Sequence, residues 1–191
     1  HLTPMTVVAG ERTLAPGAQE ISVRFEAVDD GGSKLAKTYT FRRGEFTIGV
    51  KHEFSNAAAA AVKPQLYLQL ARDGNPPEGE SSFYFTFTGP AVYTDASKFQ
   101  KIDFKDIAKG NTSHASSGND GWVAMVQHYF ASAWLAPGAG PREFRTAKVA
   151  DNHYTVAMVL PLGEVAPGAT ATHDATLFAG PQEENKLAAL A

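Results

Sequence analysis

The side chains best equipped for chemistry are scattered along this sequence. Its six histidines are His1, His52, His114, His128, His153 and His173. None stands three or four residues from another, and no His-x-His occurs. A zinc ion needs three or four ligands converging at about 2.0–2.3 Å. This spacing predicts polar surface or hydrogen-bonded strand histidines and no metal site. Cysteine is absent, which excludes disulfides, thiolate zinc sites and cysteine nucleophiles. Serine, histidine and aspartate are all present, but no Gly-x-Ser-x-Gly elbow presents a serine nucleophile. Ser116-Ser117-Gly118-Asn119-Asp120 reads as a flexible loop. Asp103 with Asp106 and Glu183 with Glu184 are carboxylate pairs by proximity only. Proximity in sequence does not raise a pKa; desolvation or a fixed like charge must do so. No glycine loop has the phosphate-cradling pattern. The expectation is a protein without catalytic residues, metal or cofactor.

The aromatic residues Trp122, Tyr129, Phe130 and Trp134 offer a second kind of chemistry. Such rings can stack on a sugar, or they can fill a core. Core or inter-sheet packing is the plainer reading, because a buried ring contributes several kcal/mol by itself. Arg42 and Arg43 precede Gly44 and read as a solvated tight turn.

Composition narrows the field. The chain has 191 residues, 43% of them hydrophobic, enough for one domain with a real core. Lys and Arg total 17 against 20 Asp and Glu, a formal charge of -3, with no basic cluster. Nucleic acid and anionic lipid both demand clustered cations, so neither is an expected partner. No run approaches the ~18 apolar residues that span a bilayer, and no signal peptide is visible.

The elements that must position these residues read as strands. Ile21, Val23, Phe25 and Ala27 alternate with Ser22, Arg24 and Glu26. Phe46, Ile48, Val50, His52 and Phe54 alternate likewise, as do Leu66, Leu68 and Leu70, then Phe83, Phe85 and Phe87, then Tyr154, Val156, Met158 and Leu160. Period-2 alternation predicts half-buried antiparallel strands. Turns are expected at Asp29-Asp30-Gly31-Gly32 and Arg42-Arg43-Gly44-Glu45. Loops are expected at Asn75–Gly79 and Pro137–Pro141, and a polar, mobile stretch at Lys109–Asp120. Many strands at short spacing predict a mainly all-β sandwich. Trp122–Leu135 is apolar on both faces and fits either buried strands or a helix. Pro181–Ala191 predicts a short C-terminal helix, with Gly180 at the N-cap and Pro181 opening it. Glu183 and Glu184 suit its first turn, and Leu187, Leu190 and Ala191 make one apolar stripe.

The run Gly121-Trp122-Val123-Ala124-Met125-Val126-Gln127-His128-Tyr129-Phe130-Ala131-Ser132-Ala133-Trp134-Leu135 closely resembles a signature of one family. The family is the periplasmic domain of YidC-type bacterial membrane protein insertases. Further segments resemble it in the same order. They are Thr40–Phe46, Phe87–Tyr93 with Lys98–Lys101, and Thr176–Pro181.

The resemblance implies a large twisted antiparallel β-sandwich, a supersandwich of galactose-mutarotase type. It implies buried strands over Trp122–Leu135. Gly121, Trp122, Gln127, Tyr129, Phe130 and Trp134 become its structural signature. Residues 1–191 are then a single periplasmic domain of a bacterial inner-membrane protein, expected to lack its first strands. Residues 181–191 lead toward the second membrane helix, with Pro181, Leu187 and Leu190 as a coupling element. The implied function is interaction and support within an insertase of inner-membrane proteins, acting alone or with the Sec translocon. Implied partners are that translocon with its accessory subunits, and nascent membrane proteins through a membrane part absent from this sequence. The mutarotase-like architecture also leaves a cleft for a weakly bound ligand. The competing readings are a carbohydrate-binding or mutarotase-like sandwich, and a generic secreted sandwich.

Overall fold

A computed structural model describes residues 3–77 and 86–182. Contacts divide the chain into two compact units, His1–Leu66 with Pro161–Leu177, and Tyr67–Leu160 with Phe178–Ala191.

In the first unit, β1 (Thr6–Val7), β2 (Glu20–Val28), β3 (Lys34–Arg42) and β4 (Thr47–Ser55) pair in that order, each antiparallel to the next. β13 (Thr170–Pro181) follows β4 in the sheet. The predicted turns are where the sequence asks for them. Asp29 accepts the Ser33 amide on Oδ1 at 2.8 Å, and Gly32 takes φ 82°. Gly44 takes φ 78° in the β3–β4 turn. These backbone angles favour glycine because it has no Cβ.

The register sets Ile21, Phe41 and Ile48 in one cross-strand row, then Val23, Tyr39 and Val50, then Phe25, Lys37 and His52. Phe25 meets Tyr39 edge to face at 5.8 Å. The other face is polar. The Ser22 and Thr40 hydroxyls bond at 2.9 Å, and Arg24 pairs with Glu26 at 2.7 Å and with Glu53. The alternation read from the sequence is thus a true division of faces.

The second unit holds two sheets. One has the order β10 (Phe130–Leu135), β9 (Trp122–Gln127), β6 (Gly89–Thr94), β7 (Lys98–Lys101). The other runs β5 (Gln65–Asp73), β12 (His153–Pro161), β11 (Arg142–Ala150), β8 (Ser117–Gly118). Bonds between them, such as Trp134 Nε1 donating to Gln69 O at 3.1 Å, tie the sheets into a sandwich.

Three elements depart from expectation. β12 is buried on both faces, from Tyr154 through Leu160, instead of half-buried. Its alternate residues Thr155, Ala157 and Val159 are small or apolar enough to fill the second face. A six-residue helix, α1 (Phe104–Lys109), stands where no helix was expected, ended by Gly110 at φ 67°. Asp103 occupies its N-cap without a side-chain cap bond. Lys109–Asp120 is pinned where a mobile stretch was expected. Ala115 N–H donates to Gln100 Oε1 at 2.9 Å, and Ser117 and Gly118 pair with β11. The Phe83 and Phe85 part of one expected strand lies outside the described residues.

His52 is buried in the first unit at 7% exposure. Burial, with help from the nearby Lys37 and His173, pushes its pKa from 6.5 down to about 4. Above pH ~6.5 the imidazole is neutral in both folded and unfolded chains. As pH falls, the unfolded chain takes up a proton that the folded site refuses, so stability falls between 6.5 and about 4. Denaturant titrations at pH ~7 and pH ~4.5 should show the natural chain losing up to about 3 kcal/mol more than His52→Gln. Equal losses in the two proteins would show that His52 does not carry this dependence.

Candidate interaction site at the β9–β10 turn

The signature run folds as a hairpin. Trp122 pairs with Leu135 and Gln127 with Phe130, leaving His128 and Tyr129 as a two-residue turn. The run is apolar on both faces because both strands lie inside the sheet, and this hid the hairpin from periodicity. Val123 and Met125 point into the sandwich and are buried. Trp134 points the same way at 8% exposure.

Trp122 lies on the opposite face. Its ring stacks on Tyr93 at 5.3 Å and 8°, and Phe99 packs beside it at 5.8 Å. This is a cross-strand ladder over β9, β6 and β7. Tyr129 and Phe130 are neither core nor ladder. They are 69% and 53% exposed at the turn. The aromatic residues expected to pack together thus divide three ways.

The start of β9 depends on Gly121. Its φ is 104°, and a Cβ there would stand 2.0 Å from the Tyr93 carbonyl oxygen. The Gly121 carbonyl accepts the buried Arg142 guanidinium at 2.8 Å. Arg142 also donates to Gly138 O at 2.7 Å and to Gly140 O at 3.3 Å. Burial lowers the pKa of Arg142, and the Asp120 charge partly restores it.

The turn is held from three sides. His128 Nδ1 and Thr86 Oγ1 are 2.7 Å apart. Arg72 donates to Gln127 Oε1 at 2.9 Å and to Asn75 O at 2.9 Å, with its guanidinium 6.0 Å from the Phe104 ring centre. Gln182 supplies the third hold. Its backbone N–H donates to Tyr129 O at 2.8 Å. Its side-chain Nε2 donates to Gln127 O at 2.8 Å and to His128 O at 3.2 Å.

Pro181, expected to open a helix, instead closes β13. Gly180 is likewise in that strand, so neither residue caps a helix. Leu187 and Leu190, with the rest of the helix expected after Pro181, lie outside the described residues. Arg72, Arg142 and Gln182 were not legible as site residues, because Arg142 and Gln182 act on main-chain carbonyls and Arg72 reaches the turn through the distant Gln127 side chain, so none follows a spacing rule.

Among the described residues, no group of three or more His, Cys, Asp or Glu side chains is placed to hold a metal ion. No described helix is long and apolar enough to cross a membrane. What the site offers chemically is a neutral aromatic tip on a hydrogen-bonded base.

Two predictions follow from this geometry. Trp134→Ala should cost about 3–5 kcal/mol, the usual loss for a truncated core ring, and Trp122→Ala less, about 1–2 kcal/mol, since its ring is half-buried. Equilibrium denaturation ranks them, and an equal or reversed order would contradict the assigned faces. Gly121→Ala should lower stability by at least about 2 kcal/mol, since the backbone must move to clear the Tyr93 carbonyl. A thermal midpoint equal to that of the natural chain would refute this.

Comparison with known proteins gives consistent relatives. A family model described as the YidC periplasmic domain matches residues 1–191. A membrane protein insertase YidC from Janthinobacterium sp. (strain Marseille) is 52% identical over 191 residues, covering 100% of this chain and 34% of the relative. That from Cupriavidus necator is also 52% identical over 191 residues, with the same coverage of 100% and 34%. The chain thus spans about a third of the length of these curated relatives. Solved structures share the fold at much lower identity. A putative aldose 1-epimerase from Escherichia coli K12 superimposes with a TM-score of 0.54 at 11% identity, covering 94% of this chain and 69% of that one. A galactose mutarotase related enzyme from Lactobacillus acidophilus gives 0.54 at 11% identity, covering 94% and 72%.

Proposed function

The chain belongs to the YidC periplasmic-domain family, and from that membership we propose that it is the periplasmic interaction and support module of a membrane protein insertase. The observation that carries this reading is the match over residues 1–191 at about half identity to proteins named as insertases. On this reading the module works in the periplasm as part of a bacterial inner-membrane protein. The membrane part does the inserting, and nascent membrane proteins are its substrates. The Sec translocon and its accessory subunits are the partners the module would meet. The mutarotase likeness, at 11% identity, is one of fold. The family match therefore favours the insertase over the carbohydrate reading.

Within this function the end of β13 and the segment after it are the coupling element. It runs from Pro181, the last residue of β13, through Leu187 and Leu190 and leads toward the membrane. The hydrogen bonds of Gln182 to the β9–β10 turn support the reading, because they tie the beginning of that segment to a sheet.

Complementation of insertase-depleted cells by the full-length protein tests the proposal. Leu187→Ser with Leu190→Ser, and separately Gln182→Ala, should impair substrate insertion at equal abundance. Pro76→Ser, a change at an exposed loop residue, should not. Insertion at the natural rate by both coupling variants would overturn the coupling role. Failure of the unmodified protein to rescue the cells would overturn the insertase reading itself.

A further inference from the structure

Tyr129 and Phe130 stand at a point of the second unit where three facts meet. They are large apolar side chains, 69% and 53% exposed. They sit on a turn whose carbonyls are already engaged. Gln127, Tyr129 and His128 accept from Gln182 at 2.8, 2.8 and 3.2 Å. They also sit where the chain leaves β13, since residues 183–191 follow Gln182 directly.

Each fact bears on what these rings can meet. A bare carbonyl resists entry into an apolar phase, because it loses its water without replacement. At this turn Gln182 supplies that replacement, so the cost is already met inside the protein. The run Gln127-His128-Tyr129-Phe130-Ala131 contains no Lys, Arg, Asp or Glu, so the turn itself carries no permanent charge, and Glu183 and Glu184 after Gln182 give anionic lipid nothing to attract. A tyrosine pairs an apolar ring with a polar tip, which suits headgroup depth, and a phenylalanine beside it suits the level just below. The turn is also stiff. His128 is held by Thr86 and Gln127 by Arg72, so little order remains to be lost on docking.

The point of exit selects the occupant. If the chain after Gln182 leads to the membrane, the turn that Gln182 holds stands at the root of that path. We infer that the β9–β10 turn is an interfacial anchor, seating Tyr129 and Phe130 at the lipid–water boundary of the bilayer to which the tail leads. The inference rests on the reading of the tail given under the proposed function. The anchor would limit the swing of the second unit about its tether, and would need neither a protein partner nor anionic lipid.

The test tethers the chain so that proximity does not depend on the earlier reading. A hexahistidine tag after Ala191 is captured on phosphatidylcholine vesicles containing a small fraction of nickel-chelating lipid, and imidazole is titrated to release it. The natural chain should stay bound to imidazole concentrations about five-fold above those releasing Tyr129→Ser/Phe130→Ser, because two interfacial rings add to the tether. Both rings are exposed, so the double variant should keep its unfolding midpoint, and this is measured first. In parallel, Phe130→Trp should add a fluorescence component that brominated phosphatidylcholine quenches. Phe99→Trp, on the exposed end of the ladder, should add a component that it does not quench. Equal release of natural and double-variant chains overturns the anchor, as does an unquenched Trp at position 130. A double variant that alters sedimentation while leaving release unchanged also overturns it, in favour of contact between copies of the chain. Failure of the tail reading shows instead in the complementation of the Leu187, Leu190 and Gln182 variants, which this tether does not address.

Discussion

The second unit depends on a buried cation solvated by carbonyl oxygens. Arg142 is 4% exposed, and its guanidinium donates to the Gly121, Gly138 and Gly140 carbonyls, with the Met158 sulfur at 4.0 Å. Removing a guanidinium from water costs several kcal/mol unless its N–H groups find acceptors. Backbone dipoles provide them here, and glycine lets the backbone come close enough. Gly138 takes φ 74° and Gly121 φ 104°, so both carbonyls turn where an L side chain would resist. The Arg142 cage therefore joins the loop before β9 to the loop before β11. Removing the cation would free two glycine-containing loops together.

From that joint the position of the hairpin follows. Gly121 lies against the Tyr93 carbonyl, so β9 has to begin at Trp122 beside Tyr93. The register then runs without a slip to Gln127 opposite Phe130. A slip by one residue would turn Val123 and Met125 outward and Trp122 inward. The exposure of Tyr129 and Phe130 is in this sense fixed at the far end of the strand. The turn can present two rings to solvent because Val123, Met125 and Trp134 bury the inner face of the strands beneath it.

The parts of this fold that could be read from sequence are those with one wet face. β2 and β4 keep a readable alternation, because Ser22, Glu26 and Lys51 are exposed while Ala27 and Val50 are buried. β12, with Tyr154 through Leu160 all buried, has no wet face to mark its period. β9 and β10 failed the same test, and their family resemblance supplied what periodicity did not. α1 was missed because six residues give fewer than two turns, too few for a 3.6-residue period to show. The aromatic residues were misgrouped for a related reason. Residue type says that a ring prefers burial, but the place of each ring in the hairpin decides. Trp134 is the next-to-last residue of β10 and faces inward, Trp122 is on the outer face, and Tyr129 is in the turn.

The end of β13 shows how a local signal can be correct and still mislead. Gly180-Pro181 suits the start of a helix, since proline lacks the N–H that a helix leaves unbonded there. The same deficit is tolerated where a strand gives way to a turn, since no ladder partner there is left without a donor. What decides between them is the next residue. The Gln182 amide finds the Tyr129 carbonyl at 2.8 Å, and its side chain finds two more. Each such bond contributes only about 1 kcal/mol net. Together they hold the exit against one turn while adding little to the stability of the core beneath it. A hold of this kind can open locally without unfolding the sheet. It therefore sets the direction in which the chain leaves and remains weak enough to yield to a pull on the tail.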